Sequence, residues 1–509
     1  MSEHASTMNG RGIAKQVTGI PGFDHLSDGG LPEGRTTLVC GTAGSAKTVL
    51  ACQFLAAAIR DRGESGVFVT FEESPDDIRR NMHSFGWNIP AWEAEGLWAF
   101  VDASLHPEHE NLELPNYDLG AFLARMEYAV GRVGARRVVL DSLGAVFSQF
   151  SDSAIIRREL HRAAMALRRM GVTAILTAER TEEYGPISRY GVEEFVADNV
   201  IILRQALEDE KRRRTLEILK FRGTTHQKGE YPFTVVPAEG LAVLPLSAGG
   251  LKQRSSNVRV TSGIEALDEM CGGGFFRDSI ILVSGATGTG KTLLTTQFIA
   301  GGAARGERCL LFAFEESHDQ LHRNALGWGM DFEAMESDGL LQINCAYPET
   351  SGLEDHLVRI RKAIDEYQPD RVAIDSLSAM ERVSTPKGFR EFVIGITSHV
   401  KEKEVPGLFT STSPSLMGGQ SVTEAHISTI TDSIILLRYV EMFGEMQRGI
   451  TVLKMRGSPH DKEIHRFSID GAGMHIREPF RNVLGILSGN PVHIPQSELD
   501  RIGSLFEEG

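Results

Sequence analysis

The sequence predicts an α/β protein built from two tandem copies of one domain, each organised around a mainly parallel central sheet. First, the segment GTAGSAKT at residues 41–48 returns as GATGTGKT at residues 285–292, 244 positions later. Second, apolar β-rich runs alternate with longer amphipathic stretches, a pattern typical of parallel strands joined by helices. Third, 509 residues suit two domains of about 250 residues each.

The elements of the first copy follow in chain order. A strand is predicted at residues 36–40, and the glycine-rich segment after it leads into a helix at residues 48–60. Further strands are predicted at residues 67–71, 137–140, 173–177 and 200–204. In the second copy, the first strand and helix are predicted at residues 279–284 and 292–304.

Matching residues along both halves indicate a tandem duplication. The offset between the halves falls from 244 to 234, so about ten residues were gained or lost in surface loops. The matches are Asp24 with Asp268, Phe71-Glu72-Glu73-Ser74 with Phe314-Glu315-Glu316-Ser317, Phe85-Gly86-Trp87 with Leu326-Gly327-Trp328, Val138-Val139-Leu140-Asp141-Ser142 with Val372-Ala373-Ile374-Asp375-Ser376, and Asp198 with Asp432. We expect domains at residues 1–246 and 258–487, a linker at 247–257 and a C-terminal tail at 488–509.

Both repeated segments predict phosphate-binding P-loops. Small residues let backbone N–H groups turn toward phosphate oxygens, a lysine reaches the terminal phosphates, and a hydroxyl holds the metal ion. The first copy has Ala46 where the second has Gly290; alanine fits helical dihedral angles but is strained in the left-handed region. We expect ATP and Mg²⁺ to bind at Gly44, Ser45, Ala46, Lys47 and Thr48 and at Thr287, Gly288, Thr289, Gly290, Lys291 and Thr292, with Thr48 and Thr292 as metal ligands.

Acidic residues follow the predicted strands. Asp141 and Asp375 each end an apolar strand, where a carboxylate can reach Mg²⁺; a solvent-facing turn is the alternative, and the nearby P-loop favours the metal role. The pairs Glu72-Glu73 and Glu315-Glu316 come after other strands, and we expect one glutamate of each pair to act as general base. Which one is left open, and a solvated turn that caps the next helix is the alternative.

Two cation pairs are spaced by two residues on predicted strands. Lys220 and Arg222, like Lys454 and Arg456, project from one strand face, an arrangement that is costly without an anion. We expect them to reach the nucleotide of a neighbouring subunit. An edge strand that carries solvated charges against aggregation is the alternative.

The two halves differ at a pair of hydroxyl residues, and this difference predicts different functions for them. At the 234 offset, Ser428 and Thr429 correspond to Glu194 and Phe195, so the first half cannot be phosphorylated at this place. The residues therefore allow one half to hydrolyse ATP and the other to phosphorylate itself. Ordinary packing of a Ser-Thr pair in a β-rich run is the alternative.

Composition and charge disfavour some classes of protein. A net charge of −15 disfavours, without excluding, binding to a phosphate backbone. The five cysteines show no Cys-x-x-Cys spacing, as expected of reduced core thiols, so a cytoplasmic location is predicted. No export signal or membrane-spanning segment is predicted.

Several motifs resemble the KaiC family of circadian clock ATPases and autokinases over nearly the whole chain. They are the double P-loop, the paired glutamates, Leu-Lys-x-Arg-Gly in both halves, Glu182-Glu183-Tyr184-Gly185-Pro186 and His426-Ile427-Ser428-Thr429-Ile430-Thr431-Asp432. The resemblance implies RecA-like P-loop NTPase domains in a double-ring homohexamer, with ATP at subunit interfaces. It implies that the first ring hydrolyses ATP and that the second phosphorylates and dephosphorylates its own serine and threonine.

The resemblance also assigns residues. It makes Ser428 and Thr429 the phosphoacceptors, Glu315 the base and metal partner, and Glu72 and Glu73 the hydrolytic carboxylates, with Glu316 beside Glu315. It places Ser84 and Trp328 at the nucleotide pocket. It assigns an ATP-binding role across the interface to Lys220, Arg222, His226, Arg448, Lys454, Arg456, Ser458 and His460, and Phe221, Thr224, Met455 and Lys462 are expected to bind ATP as well.

Partners follow from the same resemblance. A KaiB-like protein is expected, and a sensory histidine kinase is a further candidate. Activation by a KaiA-like protein is not expected, since the segment after residue 488 is shorter than the tail the family uses for it. Two other functions stay open. One is a RecA- or helicase-like ring ATPase stimulated by DNA, which the acidic charge and the lack of an aromatic-plus-basic stretch disfavour. The other is a signalling scaffold that assembles on binding ATP.

Overall fold

A computed structural model describes residues 13–104, 119–142, 144–145, 152–191, 193–208, 211–244, 255–413, 427–442, 444–481, 483–487 and 492–493. The chain divides into two compact units, residues 1–248 and 249–509. Most of the predicted linker and of the predicted C-terminal tail lies outside the described residues, so these two assignments stay predictions.

The first unit alternates strands and helices. Its strands are β1 Lys15–Gln16, β2 Leu31–Pro32, β3 Thr36–Gly41, β4 Gly66–Thr70, β5 Trp98–Asp102, β6 Arg137–Asp141, β7 Thr173–Glu179, β8 Asn199–Glu208, β9 Lys211–Phe221, β10 Glu230–Val236 and β11 Gly240–Val243. Its helices are α1 Phe23–Leu26, α2 Lys47–Arg62, α3 Pro75–His83, α4 Ile89–Ala94, α5 Leu119–Val133, α6 Ser153–Met170 and α7 Glu193–Val196.

The second unit repeats this pattern. Its strands are β12 Arg259–Val260, β13 Phe275–Phe276, β14 Ile280–Gly285, β15 Cys309–Phe314, β16 Leu341–Ala346, β17 Arg371–Asp375, β18 Gly407–Thr412, β19 Ser433–Met442, β20 Glu445–Met455, β21 His465–Asp470, β22 Gly473–Pro479, β23 Val483–Leu484 and β24 Val492–His493. Its helices are α8 Glu265–Met270, α9 Lys291–Ala303, α10 His318–Gly327, α11 Phe332–Ser337, α12 Leu353–Tyr367, α13 Leu377–Arg382 and α14 Pro386–Glu402, with 3₁₀ turns at Pro348–Thr350 and Ile427–Thr429.

Each unit is built on a nine-stranded sheet with the same topology. The strand order is β5-β4-β6-β7-β3-β8-β9-β10-β11 in the first unit and β16-β15-β17-β18-β14-β19-β20-β21-β22 in the second. The strands from β5 to β8, and from β16 to β19, are parallel, and the remainder of each sheet is antiparallel. The mainly parallel α/β fold predicted from the sequence is thereby confirmed.

The central strand of each sheet carries the P-loop at its carboxyl end. In β3, Leu38 and Cys40 pack into a core on one face of the sheet and Val39 packs into a core on the other. Burial on both faces explains why the strand is an uninterrupted apolar run. The connection from β3 runs to β4 on one side of it, whereas the connection from β7 runs to β8 on its other side. A crevice is therefore expected at the carboxyl end of β3, where ligands of such sheets bind.

The cysteines are free, as expected of reduced thiols. Cys40, Cys52, Cys271 and Cys309 are buried, and Cys345 is exposed on β16. Among the helices of the described ranges, none is long and apolar enough to cross a membrane.

Candidate functional site

The second P-loop needs glycine at three places. Gly288 and Gly290 have φ angles of 79° and 107°, in the left-handed region that side chains disfavour. A Cβ atom on Gly285 would lie 2.6 Å from the carbonyl oxygen of Leu437 on the neighbouring strand. The loop therefore turns sharply out of β14 and presents its backbone at the N-terminus of α9, as a phosphate cradle requires.

The first P-loop has the same conformation although it lacks the last glycine. Ala46 adopts φ 71° and ψ 27° at the position of Gly290, so it takes the left-handed geometry that strains an alanine. Such a conformation costs a non-glycine residue about 1–2 kcal/mol. Its methyl group packs against the core of the first unit, which offsets part of this cost.

The P-loop lysines fold back over their own loops. Lys291 Nζ donates to the carbonyl oxygens of Gly285 and Ala286, each at 2.9 Å, and Lys47 Nζ does the same to Gly41 and Thr42. Burial lowers the pKa of both lysines, more than the nearby carboxylates raise it. A buried ammonium group without a full counter-charge favours binding of an anion such as a terminal phosphate.

Hydroxyl and carboxylate oxygens meet beside each P-loop. Asp141 accepts a hydrogen bond from Thr177, and the Thr48 hydroxyl also bonds it; burial nevertheless raises the pKa of the Asp141 carboxyl. In the second unit Thr410 bonds Asp375 in the same way. Oxygen ligands of this kind fit Mg²⁺, which binds through one or two carboxylates together with substrate phosphates.

A cavity of about 390 Å³ lies at the second P-loop. Its lining includes predicted residues of four kinds: P-loop residues, the glutamate pair, the strand-end aspartate and Trp328. They are Thr287, Gly288, Gly290, Lys291, Thr292, Glu315, Glu316, Trp328 and Asp375. Thr289 is fully buried instead, and its hydroxyl donates to the Ala286 carbonyl oxygen at 2.8 Å, so it shapes the loop from behind. Further residues that were not predicted as site residues also line the cavity, among them Phe314, Ser376, Thr412 and Ile469.

The two glutamates of each pair occupy different environments. Glu316 is half-buried and accepts a hydrogen bond from Asn324 at 3.4 Å; burial and the charge of Asp375 raise the pKa of its carboxyl. Glu73 makes the equivalent bond to Asn81, and burial and Asp141 raise its pKa too. Both asparagines were missed, although the 243-residue offset of the glutamate pairs also relates Asn81 to Asn324.

The first glutamate of each pair contacts a residue in the chain segment that follows the strand-end aspartate. Glu315 forms an ion pair with Arg382 at the end of α13, and Ser142 donates to Glu72 at 3.0 Å. Glu315 also has a φ angle of 98°, an uncommon conformation for a side chain of this size. Arg382 was missed by sequence reasoning because it lies 67 residues from Glu315 and belongs to no motif.

The predicted match of Trp87 with Trp328 is wrong. Backbone hydrogen bonds at the ends of α3 and α10 align Phe85 with Trp328 and Gly86 with Gly329, whose φ angles are 75° and 76°. Trp87 is instead buried in the first core, whereas Trp328 lines the P-loop cavity. Matching the two tryptophans shifted the alignment by two residues. Ser84 is exposed at the end of α3, with its hydroxyl bonded to the Asn81 carbonyl oxygen at 2.9 Å.

The cation pairs make equivalent contacts in both units. Lys454 Nζ donates to the carbonyl oxygens of Ser428 and Thr431 at 2.6 and 2.7 Å, and Lys220 Nζ donates to those of Glu194 and Ala197 at 2.9 and 2.8 Å. Each arginine pairs with an aspartate: Arg222 with Asp198 at 3.5 Å, and Arg456 with Asp432 at 3.6 Å. Within one chain, each arginine therefore has a carboxylate partner and each lysine has carbonyl partners, and the shared pattern shows that the 234 offset is structurally correct.

Ser428 and Thr429 lie in a 3₁₀ turn before β19, not in a β-rich run. Ser428 is half-buried and Thr429 is exposed. The backbone of the turn is held by the cations that follow on β20, because Arg456 Nη2 also donates to the Thr429 carbonyl oxygen at 2.8 Å. Strand packing therefore does not account for this hydroxyl pair. His426 lies outside the described residues.

The other predicted ATP-binding residues divide into two groups. Phe221 and Met455 are buried in the cores of their units, so they can offer a neighbour only backbone atoms. Arg448, Ser458, His460, Thr224 and His226 are half-buried and Lys462 is exposed. Arg448 lines a second, larger and open groove of about 1110 Å³ in the second unit, together with Arg466 and Arg477, and Ile469 borders both this groove and the P-loop cavity.

Comparison with known proteins gives one consistent result. The family model described as "ATPase: KaiC" matches residues 16–248 and again residues 260–480. The chain is 65% identical to the circadian clock protein KaiC3 of a Synechocystis species over 497 residues, which cover 98% of each chain. It is 56% identical to the circadian clock oscillator protein KaiC of Synechococcus elongatus over 493 residues, 96% of this chain and 95% of that protein.

Proposed function

Since the chain belongs to the KaiC family of ATPases, we propose that it is a clock-type ATP hydrolase and serine/threonine autokinase with its two activities divided between its units. The first unit hydrolyses ATP. The second transfers the γ-phosphoryl group of ATP to Ser428 and Thr429 of the same protein and later releases it. The observation that carries this proposal is the hydroxyl pair, which stands where the otherwise equivalent first unit has Glu194 and Phe195.

Chemistry at the P-loops follows from the residues around them. Mg²⁺ held near Thr292 and Asp375 would neutralise charge on the phosphates. Lys291 binds the terminal phosphates, which relieves the cost of its burial. A carboxylate of the Glu315-Glu316 pair accepts the proton of the attacking hydroxyl, and in the first unit Glu72-Glu73 accepts that of water. The new phosphorus–oxygen bond forms as the bond to ADP breaks.

The positions of the acceptors favour transfer between subunits. Within the described residues, the lining of the second P-loop cavity includes neither acceptor and none of the residues expected across an interface. A ring in which each chain presents its 3₁₀ turn and its β20 cations to the next chain's P-loop would bring these groups together. We propose a homohexamer of this kind, and a KaiB-like protein as its partner.

Paired glutamine variants test the division of activities. Glu315→Gln with Glu316→Gln should lower phosphate incorporation by about 100-fold or more, the loss expected of a general base, while most hydrolysis persists. The matched control, Glu72→Gln with Glu73→Gln, should lower hydrolysis and spare phosphate incorporation. Radiolabelled ATP follows both reactions in one sample. Equal loss of both activities in both variants would contradict the division.

A further inference from the structure

A cluster of two histidines and one glutamate lies behind the second P-loop site. His318 and His322 are one turn apart on α10, and their rings are 4.2 Å apart between centroids. Their Nε2 atoms each lie 2.9 Å from the same carboxylate oxygen, Oε2 of Glu336 on α11. Three atoms of the kinds that bind transition metals therefore converge from two helices.

In the first unit, a permanently charged arginine pairs with the equivalent glutamate. The 243-residue offset that holds through α3 and α4 relates Arg79 to His322 and Glu93 to Glu336. Arg79 forms a bidentate ion pair with Glu93, with Nε and Nη2 at 2.7 and 2.8 Å from the two carboxylate oxygens. The second unit keeps the carboxylate but replaces the permanent charge with imidazole, and adds His318 where the first unit has Pro75.

One ring nitrogen of this cluster lacks a well-formed hydrogen bond. The Nε2 atom of His322 is buried, and despite its short distance to Glu336 it makes no hydrogen bond of acceptable geometry. In the described part of the chain, the ion-pair partners of Glu336 are these two histidines. A buried ring nitrogen without a well-formed hydrogen bond calls for an explanation, and a cation bound by the converging ligand atoms supplies one.

We propose that His318 Nε2, His322 Nε2 and the Glu336 carboxylate form a binding site for Zn²⁺ or a similar divalent transition metal, with water in the fourth position. Two imidazoles four residues apart on a helix plus one carboxylate is a ligand set that zinc accepts. The cation would supply the charge that Arg79 supplies in the first unit. Magnesium is a poor fit, because it prefers oxygen ligands.

Such a cation would fix the position of α10 relative to α11. Helix α10 carries Asn324, which bonds Glu316, and it ends at Trp328, which lines the P-loop cavity. Metal bound at the histidines is therefore expected to stabilise one wall of the kinase site without touching the nucleotide.

Titration of the full chain with Zn²⁺ and with Co²⁺, in excess Mg-ATP, tests the proposal. Calorimetry should show one tight Zn²⁺ site per chain, and Co²⁺ should give the strong visible absorption of a four-coordinate site. Both should be lost in His322→Arg, which rebuilds the ion pair of the first unit and should unfold at the same temperature as the metal-loaded parent. His318→Ala, at a partly exposed position, should weaken Zn²⁺ binding at least tenfold.

The control is His475→Ala, which removes another histidine paired with a carboxylate, Asp470, at 2.9 Å. It should leave the tight site intact. Zn²⁺ binding that survives in His322→Arg and His318→Ala would overturn the proposal. So would a parent chain that binds no Zn²⁺.

Discussion

At the residue scale, the two glutamates of each pair are distinguished by their surroundings rather than by their sequence. Adjacent glutamates after a strand look equivalent along the chain, and the sequence left their roles open. The fold directs Glu315 toward Arg382 and directs Glu316 toward Asn324 and the charge of Asp375. The same division in the first unit, at Glu72 and Glu73, indicates that it belongs to the architecture of the site.

Glu316→Gln should stabilise the nucleotide-free chain at pH 7. The raised pKa of Glu316 gives stability that is fully present below its ordinary value of 4.5 and is lost as the pH rises through the folded-state pKa. Glutamine cannot ionise, so its advantage should widen from pH 5 to pH 8, to no more than about 1 kcal/mol at this solvent-screened position. Urea unfolding across this pH range measures it.

The control is Glu333→Gln, at an exposed position on α11. It should follow the parent chain at every pH. A Glu316→Gln chain that is less stable than the parent at pH 8 would show that burial and Asp375 do not disfavour the ionised carboxylate.

At the element scale, strands of the parallel core were predictable and their connections were less so. The predicted strands at residues 36–40, 137–140, 173–177 and 200–204 lie inside β3, β6, β7 and β8, because strands buried on both faces are continuous apolar runs. The strand predicted at 67–71 begins one residue earlier, at Gly66, and ends at Thr70. The tryptophan match failed because backbone hydrogen bonds at a helix end, not residue type, set the register there.

The site was predictable to the extent that it lies in continuous motifs. Both P-loops and Asp375 could be read from short segments that follow strands. Asn324, Arg382 and Thr410 come from separate elements and meet the motif residues only in the folded sheet. The 3₁₀ turn of the acceptors was hidden because isoleucine and threonine favour strands.

A buried arginine links the sheet of each unit to its P-loop helix. Removing this arginine in the second unit should therefore lower the stability of that unit. Arg371 is fully buried; it pairs with Glu307 and donates to the carbonyl oxygens of Thr261 and Phe298 at 2.7 and 3.1 Å. Arg371→Ala should destabilise the second unit by about 3–5 kcal/mol, the usual cost of breaking a buried pair. Native-state hydrogen exchange of α9 amides measures this.

The matched control for that helix is Arg305→Ala. Arg305 is exposed, and its side chain donates to the Gly301 carbonyl oxygen. Its loss should change the free energy of unfolding by less than about 0.5 kcal/mol. If the two variants had the same effect, the buried arginine would not anchor the helix to the sheet.

At the scale of the whole molecule, one duplicated fold is proposed to carry ATP hydrolysis in its first unit and self-phosphorylation in its second. Strand order, P-loop conformation, lysine contacts and the β9 and β20 cations are the same in both units. Differences at the sites include Ala46 for Gly290, Arg79 for His322, and Glu194 and Phe195 for the acceptor pair. The duplicated fold thus presents different residues at equivalent positions of its two units without a change of architecture.

The position of phosphate after incubation with Mg-ATP tests this account most directly. Purified protein is digested and its peptides are mapped by mass spectrometry, beside a chain with Ser428→Ala and Thr429→Ala. We expect phosphate on Ser428 and Thr429, none on the equivalent segment around Glu194, and no incorporation in the double variant, which should still hydrolyse ATP. Phosphate incorporated elsewhere at the same level in the double variant would contradict the assignment of the second unit as an autokinase acting on this turn.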